Sequence, residues 1–170
     1  MKQVLVDIKI CLGCRSCELA CAVEHSHTKN LFEAVQENPR PRNRVFVESA
    51  GGKSFPIQCR HCDDSPCTRA CMSGAISKDS STGVVGHNPE KCVGCWMCVI
   101  VCPFGAITTD GEKHLAVKCD RCPDRDKPAC VTACPTKALV YQEVDRFAKG
   151  VRQQYLTSFS KEGGVTREIS

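Results

Sequence analysis

The residue type with most chemistry to offer in this sequence is cysteine. Sixteen of the 170 residues are Cys, and they stand in four groups of four. The groups are Cys11, Cys14, Cys17, Cys21; Cys59, Cys62, Cys67, Cys71; Cys92, Cys95, Cys98, Cys102; and Cys119, Cys122, Cys130, Cys134. Groups one and three share the spacing C-x2-C-x2-C-x3-C. Groups two and four keep the opening C-x2-C and the closing C-x3-C but stretch the middle to four and seven residues. One motif is used four times, with two insertions.

Three thiolates at C-x2-C-x2-C spacing can curl around one corner of a cubane [4Fe-4S] cluster, and in the bacterial ferredoxin run the fourth cysteine ligates the other cluster of a pair. Structural zinc is the competing chemistry, since two C-x2-C pairs describe a zinc ribbon. The third close cysteine, Cys17 or Cys98, has no use in such a ribbon, so the spacing favours iron and sulfide. Sixteen thiolates divide without remainder into four cubanes. That leaves no thiol as a nucleophile and no iron open to a substrate, which argues for a carrier of electrons and against an enzyme. Gly13 and Gly94 precede second cysteines and suit a tight turn with positive φ. His25, His27, His61, His87 and His114 are expected in solvent or around the sites, not as ligands.

The elements that must position these thiols are short. Each of Cys71-Met-Ser-Gly-Ala-Ile, Cys102-Pro-Phe-Gly-Ala-Ile and Cys134-Pro-Thr-Lys-Ala-Leu reads as a short helix carrying the final cysteine, a turn and a short strand. Residues 75–78 and 84–87 flank a hairpin loop, and residues 44–48 and 54–57 flank Gly51-Gly52 in a longer hairpin. The amino-terminal MKQVLVDIKI predicts a first strand and carries no export h-region. A short helix is predicted over 29–37, ending in a loop rich in Pro and Arg. Val144, Phe147, Ala148, Val151, Tyr155 and Phe159 predict an amphipathic helix over 143–160, with Gly163-Gly164 beyond it.

Only 5% of the residues are aromatic, so something besides large side chains must fill the core. No stretch reaches the roughly 18 apolar residues of a membrane span. With so many thiols and no export signal, the expectation is a soluble cytoplasmic protein with reduced cysteines. The formal charge of +4 comes without a basic stripe, and four cubanes at roughly −2 each would turn it into about −4. Nucleic acid is therefore not an expected partner.

With four groups in this order and spacing, residues 3–142 resemble the four-cluster ferredoxin-like electron-transfer subunits. These serve dimethyl sulfoxide reductases, formate dehydrogenases, formate-linked hydrogenases and tungsten aldehyde oxidoreductases. The stretches CRSCELACAVEHSHTKNLFEA, QCRHCDDSPCTRACMSGAI and CVGCWMCVIVCPFGAI are most similar to the partner of anaerobic carbon monoxide dehydrogenase. The resemblance implies an α+β fold of tandem dicluster ferredoxin-like modules. Residues 1–57 and 112–142 would form the outer one, residues 58–111 the inner one, and residues 143–170 a carboxy-terminal helix and tail. It also implies four [4Fe-4S] clusters, each group lending its last cysteine to another. The implied sets are Cys11, Cys14, Cys17, Cys134; Cys119, Cys122, Cys130, Cys21; Cys59, Cys62, Cys67, Cys102; and Cys92, Cys95, Cys98, Cys71. A catalytic oxidoreductase and a hydrogenase or other acceptor are the implied partners, and the carboxy-terminal helix is a candidate for bridging chains. Ala22 and Met72 stand where two-cluster ferredoxins have proline. Arg60, His61 and Arg121 lie inside cysteine loops, so higher reduction potentials are expected for the sites of groups two and four.

Overall fold

The structure, a computed structural model, describes residues 2–161. Its strands form four antiparallel pairs and no larger sheet among the described residues. Strand β1 (Lys2–Val6) pairs with β8 (Leu139–Glu143), Lys2 opposite Glu143 and Val6 opposite Leu139. The other three pairs are hairpins: β2 (Val45–Ala50) with β3 (Lys53–Gln58), β4 (Ile76–Lys78) with β5 (Val85–His87), and β6 (Ile107–Asp110) with β7 (Leu115–Lys118). Gly51 and Gly52 turn the first hairpin at φ 57° and 72°, the doubly positive turn whose twist matches the strands. Between β4 and β5 the Asp79 carboxylate accepts from Ser81 N–H and Oγ and from Thr82 Oγ1, at 2.8, 2.7 and 2.8 Å. The loop thereby satisfies its own polar groups.

The helices are α1 (Ser16–Glu24), α2 (Leu31–Ala34), α3 (Pro66–Arg69), α4 (Met97–Ile100), α5 (Ala129–Thr132) and α6 (Val144–Lys161). Two sequence expectations need correction. The helix predicted over 29–37 is only α2. Lys29 is left-handed at φ 52°, Asn30 caps the helix by accepting from Phe32 N–H at 2.9 Å, and the Glu37 carboxylate turns back to accept from His27 and Thr28 N–H. The short helices α3, α4 and α5 carry the third cysteine of their groups, Cys67, Cys98 and Cys130, not the final one. Cys71, Cys102 and Cys134 lie two residues further on, where their N–H groups reach only three residues back, to Thr68, Val99 and Val131. Each last turn is tightened in this way. Helix α1 is longer and holds both Cys17 and Cys21.

Two hydrophobic clusters fill the interior. One joins Val4, Val45, Val47, Val131, Ala138 and Leu139 with Cys17, Cys21, Cys130 and Cys134. The other joins Ile76, Val85, Ile107 and Ala116 with Cys67 and Cys98. Cysteine takes the place that larger side chains fill elsewhere. Hairpin β6–β7 is paired across residues 111 and 112 and lends Ile107 and Ala116 to the second cluster. Helix α6 begins against β1 and β8, but its stripe faces outward, with Val151, Tyr155 and Phe159 all exposed. Tyr155 and Phe159 meet edge to face, their centroids 4.9 Å apart. The Gly163-Gly164 pair lies outside the described residues. No helix among the described residues is long and apolar enough to cross a membrane.

Candidate metal centres

All sixteen cysteines are free thiols, and most are buried or half-buried, with Cys14 and Cys95 exposed. Each group begins with a loop that must turn sharply before its second cysteine. Gly13, His61, Gly94 and Arg121 occupy that position, with φ of 67°, 48°, 66° and 65°. The expectation of positive φ at Gly13 and Gly94 is met, and it extends to two residues that are not glycine. Close approach distinguishes the glycines. A Cβ on Gly13 would lie 2.5 Å from Ser54 Oγ, and one on Gly94 would lie 2.5 Å from the His114 carbonyl oxygen. The start of β3 and the β6–β7 turn thus pack directly on loops one and three. Arg15 and Trp96 then start α1 and α4 from left-handed caps, at φ 60° and 62°.

These loops gather thiols from different groups. Cys11, Cys14 and Cys17 line one small cavity together with Cys134, closed by Leu12, Val47, Pro56 and Leu139. Cys92, Cys95 and Cys98 line another together with Cys71, beside Val93, Trp96 and Ala116. The other buried thiols raise one another's proton affinity across groups. Burial first, then the neighbouring Cys119 and Cys122 sulfurs, push Cys21 up to about 12. Cys130 is raised by burial and then by Cys119, Cys21 and Cys122. Cys67 is raised by burial, with Cys59 and Cys102 adding to it and Lys118 opposing. Burial pushes Cys17, Cys98 and Cys119 up to about 11. Thiols so placed lose their protons only if a cation neutralises the thiolates.

Backbone donors already face several sulfurs. Arg44 N–H donates to Cys21 Sγ at 3.2 Å and Ile76 N–H to Cys71 Sγ at 3.3 Å, and His61 and Arg121 N–H donate to Cys59 and Cys119 Sγ at 3.4 and 3.5 Å. Such bonds favour thiolate over thiol. Apolar four-thiol cavities with no carboxylate in the lining, one of them with the Ile76 N–H donor, fit an iron-sulfur cubane.

A 4Fe-4S dicluster domain matches residues 52–144. The chain belongs to the 4Fe-4S dicluster family. An iron-sulfur protein of Rhodospirillum rubrum is 41% identical over 89% of this chain and 87% of its own length. Electron transport protein HydN of Escherichia coli K12 is 37% identical over 81% and 85%. The B subunit of anaerobic dimethyl sulfoxide reductase from the same organism is 34% identical over 85% and 74%. This dicluster protein is an iron-sulfur electron-transfer protein of α+β fold, and its sixteen cysteines correspond to four [4Fe-4S] clusters.

Sequence reasoning missed the groups that brace the fourth loop. Asp120 accepts from Arg44 Nη1, from His25 Nε2 at 3.2 Å and from Cys122 N–H at 3.0 Å. His25 Nδ1 lies 2.7 Å from the Cys21 carbonyl oxygen. His25, Asp120 and Cys122 are close enough to suggest a small metal site, but the carboxylate is already engaged by cationic and N–H donors. The triangle therefore braces helix α1 against loop four. Arg44, where the loop rich in Pro and Arg meets the first hairpin, has its side chain three-quarters covered. His61, expected in solvent or beside a site, is 2% exposed and lies in the interior.

Proposed function

We propose that this protein relays low-potential electrons between a catalytic oxidoreductase, carbon monoxide dehydrogenase, and a hydrogenase or other acceptor, and that it performs no chemistry on a substrate itself. When bound, the four clusters supply one-electron redox capacity. The chain's own part is to hold them in a fixed order, exclude water and present two ends to partners. The ligand sets are Cys11, Cys14, Cys17, Cys134; Cys119, Cys122, Cys130, Cys21; Cys59, Cys62, Cys67, Cys102; and Cys92, Cys95, Cys98, Cys71.

The observation that carries this reading is the exchange of last cysteines, with Cys134 at the first loop's cavity and Cys71 at the third's. Val85 donates to His61 of loop two and accepts from Lys118 beside Cys119 of loop four, which supports placing the second and fourth sets side by side in a line of four. At the two ends Cys14 and Cys95 are exposed beside Leu12 and Val93, 72% and 71% exposed. Apolar collars of this kind suit transient docking of redox proteins. An outer module of groups one and four around an inner module of groups two and three is supported by the two separate hydrophobic clusters. In this proposal residues 1–57 and 112–142 are the outer module and residues 58–111 the inner one, joined by the β6–β7 pairing. A cytoplasmic location is part of the proposal.

The choice of carbon monoxide dehydrogenase rests on the three cysteine-bearing stretches that begin at Cys14, Gln58 and Cys92. Pull-down of the intact chain from native cells under anaerobic conditions tests it, with carbon monoxide-dependent reduction of the recovered protein as readout. Recovery of an aldehyde or formate oxidoreductase, with no reduction by carbon monoxide, refutes that choice.

A further inference from the structure

Lys118 and Arg121 are 3% and 7% exposed, and among the described residues neither has a carboxylate within ion-pair distance. Lys118 leaves the end of β7 and crosses to β5, where its Nζ donates to the Val85 carbonyl and, at 3.0 Å, to that of Cys119. Arg121 Nη1 reaches the Thr82 carbonyl at 3.5 Å, and its Nη2 is buried without a partner. Carbonyl oxygens solvate a cation but do not neutralise it. Two buried cations kept only by carbonyls are costly unless negative charge of another kind is close.

The surroundings narrow what that charge is. Asp120, the nearby acid, is held by Arg44 and His25. His61 is buried on the same side, 2% exposed. Its Nδ1 accepts from Val85 N–H at 3.0 Å, so it is neutral and adds no charge. Arg60 is exposed and lies over the Phe104 ring, 5.9 Å from its centroid. What remains near the cations is sulfur: Lys118 Nζ bonds the Cys119 carbonyl, Arg121 N–H donates to Cys119 Sγ at 3.5 Å, and Val85, which accepts from Lys118, donates to His61, whose own N–H faces Cys59 Sγ at 3.4 Å.

We propose that Lys118 and Arg121 are the built-in counter-charge of the two middle cysteine sets, Cys59, Cys62, Cys67, Cys102 and Cys119, Cys122, Cys130, Cys21, and hold those two clusters at higher reduction potential than the outer two. The proposal rests on the ligand sets of the proposed function. A fixed cation favours the more negative, reduced state of a neighbouring centre. An electron arriving at either end then falls into a shallow well in the middle of the line, so the protein stores charge as well as passing it. Of the three loop residues Arg60, His61 and Arg121, only Arg121 acts in this way. Lys118 replaces Arg60 and His61.

The test is a redox titration followed by EPR on the full chain after iron counting. Sixteen irons in the unaltered protein, four for each of four cubanes, test the ligand reading separately from this proposal. In Lys118→Met and in Arg121→Gln, two of the four one-electron midpoints fall by about tenfold in equilibrium constant, about 59 mV, and the other two stay. The pair that moves is the pair altered by Cys59→Ser and Cys119→Ser. Lys118→Arg and Arg60→Ala leave all four in place. Unmoved midpoints, a uniform shift of all four, or an upward shift overturns the proposal. If Lys118→Met fails to hold sixteen irons, restoration of iron by Lys118→Arg supports a requirement for the charge, and failure of that restoration overturns it.

Discussion

Replacing Gly94 by Ala separates two demands that the cysteine loops make on the chain. All four loops have a left-handed residue before the second cysteine, and at Gly13 and Gly94 a hairpin also comes so near that a Cβ has no room. The left-handed conformation costs a non-glycine residue about 1–2 kcal/mol, and His61 and Arg121 show that the fold bears this twice. At Gly94 a Cβ would further meet the His114 carbonyl oxygen at 2.5 Å. An ordinary C···O contact is about 3.3 Å, so the β6–β7 turn must retreat by roughly 0.8 Å. Crowding of that kind costs about 1–3 kcal/mol, giving about 2–5 kcal/mol in all for Gly94→Ala. The obstacle at Gly13 is Ser54 Oγ, equally near but on a side chain that can rotate away from its 3.3 Å contact with Ser49 Oγ. Gly13→Ala should therefore cost about 1–3 kcal/mol. Anaerobic urea unfolding of the loaded protein, followed by circular dichroism, measures both. Adding Ser54→Ala to Gly13→Ala should recover part of the loss, and adding His114→Ala to Gly94→Ala should recover none. Equal losses at the two glycines, or rescue by His114→Ala, would refute the reasoning.

Other outcomes follow from the same geometry. Cys21→Ser should lower bound iron from sixteen to about twelve by removing the cubane of group four, leaving the EPR signal of the Cys11, Cys14, Cys17 set intact; loss of that signal instead would break the exchange of last cysteines. For Asp120, burial works against ionisation, but the His25 and Arg44 side chains and Cys122 N–H outweigh it and hold the carboxyl below the usual range. Asp120→Asn should cost about 1–3 kcal/mol, discounted because its side chain is about a third exposed, and in a double-mutant cycle with Arg44→Ala the losses should not add. Burial first, then Lys118 and Arg121, push His61 down to about 3 in the fold, below the ordinary value of about 6.5 in the unfolded chain. Between those values the unfolded chain holds the extra proton, so this residue's contribution to stability is lost as pH falls below about 6.5; His61→Gln should flatten the dependence of urea midpoint on pH in that window. Removing iron with a chelator should abolish cooperative thermal unfolding, since Cys17, Cys21, Cys130, Cys134, Cys67 and Cys98 are themselves members of the two hydrophobic clusters.

The fourfold spacing made most of the architecture legible in the sequence. It marked the strand that follows groups two, three and four, and the residues between the groups marked the hairpins around 51–52 and 79–83 and the turn glycines. The helices were misplaced by one cysteine because periodicity cannot show a last turn tightened to three residues, which depends on where Cys71, Cys102 and Cys134 are needed. The helix over 29–37 failed for a similar reason: Glu37 is claimed by His27 and Thr28, a contact between backbone and side chain that no periodicity encodes. Lys118 was readable and overlooked. In Leu115-Ala116-Val117-Lys118 the alternation puts Lys118 on the face of Ala116, and both are buried. The His25 and Asp120 pair was not readable, because 95 residues separate them.

The pairing of β1 with β8 also sets an order in time. Translation delivers the four strands of hairpins β4–β5 and β6–β7 within residues 76–118, each beside its partner. Strand β1 is made first but stays single until residues 139–143 have left the ribosome, and Cys11 waits as long for Cys134. Closing so long a loop is slow compared with closing a hairpin. A ribosome that pauses before residue 134 therefore displays a finished interior half and four early thiols still open to oxygen.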